Sequence, residues 1–76
     1  MSELGDRLKE SRKKSGLSLK EVYEITSITD SRLSKMERGQ IDCTPDDLKK
    51  LAHLYNIQTI PLYELAGYLT KKVVIN

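Results

Sequence analysis

The residues that start and stop helices stand so close together in this chain that no helix can be long. Gly16 ends a first amphipathic stretch, and two residues later SLKE opens a second, with Ser18 as cap and Glu21 able to reach back to it. Thr29 caps a third helix across the tight connection Ser27-Ile28, and Gly39 closes it. TPDD, residues 44–47, opens a fourth with a threonine cap, a proline in the first turn and carboxylates beside the positive helix end. A fifth begins near Pro61. Helices this short do not hold themselves in water, so each must bury a face against its neighbours. The fold class is therefore all-α, a compact bundle of five helices. With 76 residues there is room for one core. We assign residues 1–70 to the domain and 71–76, with KKVVIN as its extended ending, to a C-terminal tail.

Periodicity names the faces that pack. In the first helix, roughly residues 2–15, Leu4, Leu8, Ser11 and Ser15 share one stripe. Val22 and Thr26 face together in the second, and Leu33 and Met36 point inward in the third. Leu48, Leu51, Ala52 and Tyr55 form the buried stripe of the fourth, which Asn56 can end in a left-handed turn. Leu62, Leu65, Ala66 and Leu69 are the inward residues expected of the fifth. The chain has no Phe or Trp, so the core is aliphatic with some tyrosine.

Several function classes lose support at this point. An apolar content of 38% argues against disorder, and no internal repeat is visible. The longest aliphatic run, Val73-Val74-Ile75, is far too short to cross a bilayer. The opening residues MSELGDRLKE carry no apolar signal region, so a cytoplasmic protein is the expectation. Cys43 is the sole cysteine and has no nearby cysteine or histidine to share a metal. His53 is the sole histidine and falls on the outer side of the fourth helix. No glycine-rich phosphate loop appears, and Asp46-Asp47 is explained by the helix dipole. We expect no cofactor, no metal and no enzyme activity.

Net charge is only +2, but it is unevenly spread. Residues 7–38 hold nine bases against five acids, a balance of +4, whereas residues 39–70 hold two bases against four acids, a balance of −2. Such asymmetry suits an anionic partner on one side, although a solvated charged surface gives the same count. Ser31, Ser34, Lys35 and Arg38 point outward from the third helix, with Asp30, Arg32 and Glu37 on its flanks. Two short helices joined by a sharp turn, the second polar outside, form a helix-turn-helix arrangement. An ordinary helical hairpin fits that spacing equally well.

The residues themselves carry a resemblance. GLSLKEVYEITSITDSRLSKMERG (16–39) resembles the helix-turn-helix of the phage repressor/Cro-type, or XRE, family. LGDRLKESRKKSGLSL resembles that family's first helix, TPDDLKKLAHLYNI its fourth and PLYELAGYL its closing helix, so the similarity covers residues 4–69. It implies a lambda-repressor-like bundle with helices two and three as the motif, and double-stranded DNA as partner. It implies a sequence-specific transcriptional regulator, a repressor, that docks the helix at 29–38 in the major groove. Ser31 and Lys35 are then the first candidates for base edges, with Asp30 and Arg32 beside them. Ser18, Lys20, Arg38 and Gln40 are candidates for phosphates. The resemblance also pairs Arg12 with Glu37 as a partly buried ion pair, and it implies a homodimer, which we place through residues 60–76.

Three positions depart from the family pattern. Leu19 stands where the family usually has Gln, Tyr23 where it prefers Ala, and Ser27 where it prefers Gly in the turn. These departures are the best support for the alternative, a protein-interaction module that kept the fold and lost DNA. Asp30 has two readings of its own. It can be a favourable helix-end charge, or it can accept a hydrogen bond from a cytosine amino group. The rest of the motif favours the second.

Overall fold

A computed structural model describes residues 2–69 of the chain. The tail assigned to 71–76, with Val73, Val74 and Ile75, lies outside the described residues. Five helices follow in order: α1 (Glu3–Lys14), α2 (Leu19–Thr26), α3 (Asp30–Glu37), α4 (Pro45–Tyr55) and α5 (Thr59–Ala66). No strand occurs among the described residues. None of their helices is long and apolar enough to cross a membrane.

The caps fall where the sequence puts them, and each satisfies orphan amides. Ser18 Oγ accepts from the Glu21 amide at 3.1 Å while Glu21 Oε1 accepts from the Ser18 amide at 2.8 Å. Thr44 and Asp47 close the same reciprocal box at the start of α4. Thr29 Oγ1 accepts from the Arg32 amide at 3.2 Å. At the other end of α3, Gly39 takes a left-handed φ of 73°. The Gln40 amide then reaches the Lys35 carbonyl and the Gly39 amide the Met36 carbonyl, a Schellman closure.

One fully buried cluster joins the helices: Leu8, Val22, Leu33, Met36, Leu48, Leu51 and Leu62, with Ile28, Cys43, Ala52 and Tyr55 around them. Leu33 and Met36 come from the inner face of α3, so the motif's second helix is anchored directly in the core. α3 packs on both α1 and α2, and α4 packs on α5.

Four expectations change. Ser15 is exposed because it caps the end of α1 instead of continuing its stripe. The buried face of α1 is Gly5, Leu8 and Ser11, with Leu4 at its edge. α5 starts at Thr59, not near Pro61; a proline fits the first turn, where its missing N–H would have had no helical partner. Leu69 is 42% exposed, since α5 stops at Ala66 and Gly67 turns the chain with a φ of 86°.

Candidate nucleic-acid interface

α2 and α3 are joined by only three residues, and the joint is built by side chains as much as by backbone. Ser27 adopts the left-handed conformation, φ 68° and ψ 8°, and its amide returns to the Tyr23 carbonyl at 2.8 Å. The next amide, Ile28, is satisfied by the buried Thr26 hydroxyl, which itself donates to the Val22 carbonyl at 2.8 Å. Thr26 thus links the end of α2 to the turn, and Ile28 drops into the core. A serine at φ 68° carries strain that a glycine would not.

The other departures are accommodated differently. Leu19 packs against the core cluster, whereas the Tyr23 ring is 45% exposed. A small residue is therefore not required at position 23. The ring leaves the helix–helix seam without displacing Val22 or Leu33, which remain fully buried.

α3 presents its tip outward. Asp30, Ser31, Lys35, Arg38 and Gln40 are exposed, Arg32 and Ser34 half-buried. The Arg38 Nε donates to the Ser34 carbonyl at 3.3 Å, a weak bond that leaves its other N–H groups to the surface. At the start of α2, Ser18 and Lys20 are exposed, with the Ser18 hydroxyl already accepting the capping bond. The Glu21 carboxyl is held below its ordinary value by the Ser18 hydrogen bonds.

The rear of α3 is braced by α1. The Arg12 Nε donates to Glu37 Oε2 at 2.8 Å and its Nη2 to Oε1 at 3.1 Å, a bidentate pair. Its Nη1 donates to the Leu17 carbonyl at 3.0 Å, so one guanidinium joins α1, the loop before α2 and the end of α3. The Glu37 hydrogen bond raises the Arg12 guanidinium above its ordinary value despite burial. Glu37, expected on a flank, is buried at the seam. Gly5 marks the closest approach: a Cβ there would lie 2.3 Å from the Glu37 carbonyl oxygen and 2.8 Å from its carbon. Only a residue without a side chain lets α1 cross α3 at this depth.

Asp47, read from sequence as a helix-end charge, is buried and bonded across the fold. Its Oδ2 accepts from Arg32 Nη1 at 2.5 Å and from the Thr44 amide at 3.3 Å. Burial alone would raise this carboxyl, but the Arg32 and Thr44 hydrogen bonds outweigh it and hold the value low. Arg32 is consequently tied toward α4 instead of standing free. Asp46 stays exposed and pairs with Lys50 one turn on, at 3.4 Å. Sequence spacing contained the threonine cap of this arrangement; it held no sign that the Asp47 side chain would close a capping box or meet Arg32. Cys43, near both, is buried, and burial pushes its thiol up to about 11, so it is an unreactive core residue.

A short helix, a three-residue turn and a core-anchored helix with a polar outer face define a helix-turn-helix protein. The chain belongs to the helix-turn-helix domain family, whose model matches residues 3–65. It is similar to the HTH-type transcriptional regulator ImmR of Bacillus subtilis (strain 168), 46% identical over 56 residues. That match covers 74% of this chain and 44% of the relative, so the chain spans less than half of the relative's length. No solved structure matches it.

Proposed function

We propose that this chain is the DNA-binding domain of a sequence-specific transcriptional regulator, a repressor, acting on double-stranded DNA in the cytoplasm and not as an enzyme. The observation that carries the reading is the exposed tip of α3, with Asp30, Ser31 and Lys35 outward while Leu33, Met36 and Glu37 are locked behind them. A helix anchored on one side and polar on the other suits insertion into a major groove. Ser31 and Lys35 address base edges, with Asp30 and Arg32 at the sides. Ser18, Lys20, Arg38 and Gln40 address phosphates, and the amides opening α2 add donors where the family would use glutamine at position 19.

The unit that binds is a homodimer through residues 60–76, so that two copies of α3 meet two half-sites. Ile60, Tyr68 and Leu69, each more than two-fifths exposed, supply apolar surface for that contact. The similar Bacillus subtilis protein is a transcriptional regulator, which supports the same function. The alternative, an interaction module that kept the fold and lost DNA, is disfavoured by the likeness to a transcriptional regulator.

Gel-shift titration with random-sequence duplex across a salt series tests the reading. Binding at low salt that weakens steeply as salt rises is expected, because neutralised phosphates release counterions. Absence of binding at low salt contradicts it.

A further inference from the structure

One buried charge, the Asp47 carboxylate, takes no part in the contacts assigned to α3 above. Asp47 lies outside α3, yet it holds one of the residues at that helix's tip. It is fixed before any ligand arrives. It sits in the first turn of α4, its amide donates to Thr44 Oγ1 at 3.1 Å, and its side chain is about nine-tenths buried. Arg32, by contrast, keeps 36% of its side chain exposed, and only Nη1 is engaged among the described residues. A guanidinium has five donors in a rigid fork, so most of this one remains available. Along α3, Arg32 is one residue from Ser31 and three from Lys35, on the face next to theirs.

We propose that Asp47 is a positioning residue for DNA recognition, holding the Arg32 guanidinium so that its remaining donors meet a guanine edge in the major groove. The proposal rests on the DNA-binding reading above. A free arginine samples many rotamers, and any phosphate nearby competes for it. Tying one nitrogen to a fixed carboxylate removes most of that freedom and leaves a paired set of N–H groups aimed as a unit. Guanine is the base whose major-groove edge offers two acceptors, O6 and N7, for such a pair. The buried carboxylate also screens the arginine from acting as a plain phosphate contact, which favours base selection over general affinity.

Selection of bound sequences from a random-sequence duplex library, run on the full chain and three variants, tests this. The wild type is expected to enrich a site with a guanine preference of roughly ten-fold or more at one half-site position. Asp47→Asn keeps an oxygen for the Thr44 amide but loses the charge that fixes Arg32. It should lose that preference while retaining the others. Arg32→Ala should lose it at the same position. Arg32→Lys is expected to weaken it, since an ammonium lacks the planar fork that two fixed donors provide, while thermal unfolding shows the folded protein retained. Retention of the guanine preference by Asp47→Asn makes the pair a structural strap only and overturns the proposal. So does a selected site in which no guanine position responds to Arg32→Ala. Failure of the wild type to enrich any sequence at low salt overturns the DNA-binding reading itself, a separate result seen before any variant is compared.

Discussion

Replacing Arg12 by methionine removes one member of the most deeply buried ion pair among the described residues. The side chains of Arg12 and Glu37 keep only 11% and 5% of their exposure, and two hydrogen bonds join them. Methionine fills much of the volume, so the packing of α1 changes little, but Glu37 is left charged at the seam with α1. Breaking a buried pair in this way costs about 3–5 kcal/mol. The Leu17 carbonyl also loses its donor, which adds about 1 kcal/mol if water does not replace it. For a domain of this size each kcal/mol lowers Tm by roughly 4–8 °C, so a fall on the order of 20 °C is expected. Chemical denaturation of Arg12→Met, Glu37→Leu and the double variant supplies the assay. The double variant should recover much of the loss, because an apolar pair leaves no stranded charge. A cost for Arg12→Met below about 1 kcal/mol, or a double-mutant cycle without coupling, refutes the reasoning.

Four other outcomes are expected. Gly5→Ala should destabilise the fold by about 1–3 kcal/mol in denaturation, because the new methyl meets helix backbone and outweighs alanine's better helix propensity. Ser27→Gly should stabilise it by roughly 0.5–1 kcal/mol, the relief of a left-handed serine exceeding the added chain entropy. Cys43 should resist alkylation at neutral pH in the folded protein and react once it is unfolded. A thiol raised from 9.0 to about 11 favours the folded state fully below pH 9.0, and that contribution is lost as pH rises towards 11, which alkaline unfolding curves can follow. Asp30→Ala should tighten binding to random duplex and narrow the gap between preferred and random sites. An unchanged ratio in competition binding leaves Asp30 as a helix-end charge alone.

The elements most legible in the sequence were those written by neighbours in the chain. Ser18 with Glu21, Thr29, and Thr44 ahead of Pro45 each act over three residues, so their spacing predicts helix starts that the structure contains. The alternation of Leu33 and Met36 with Ser31 and Lys35 likewise predicts which side of α3 is anchored and which is bare. The start of α5 carries no local signal, because Gln58 provides no side-chain cap and the proline lies two residues inside the helix.

What the sequence held back lies between elements. Gly5 reads as an ordinary weakness in a helix until α3 is seen to cross there. Asp47 reads as a dipole charge until Arg32, fifteen residues earlier, is found on it. Arg12 and Glu37, twenty-five residues apart, were paired by family resemblance and not by spacing, since no local period links two helices separated by a third. The same holds for Tyr23: its outward ring depends on how closely α2 approaches α3, which no residue of α2 alone determines.

On the reading proposed above, α3 and the start of α2 meet DNA. Amide chemical-shift mapping of the labelled chain, titrated at low salt with a duplex selected from a random library, tests it most directly. The largest changes are expected at residues 18–20 and 30–40, with the amides of Ser31 and Lys35 foremost and the middle of α4 little affected. Changes clustered instead around Ile25, Leu54 and Ile57, or no changes at all, would contradict it.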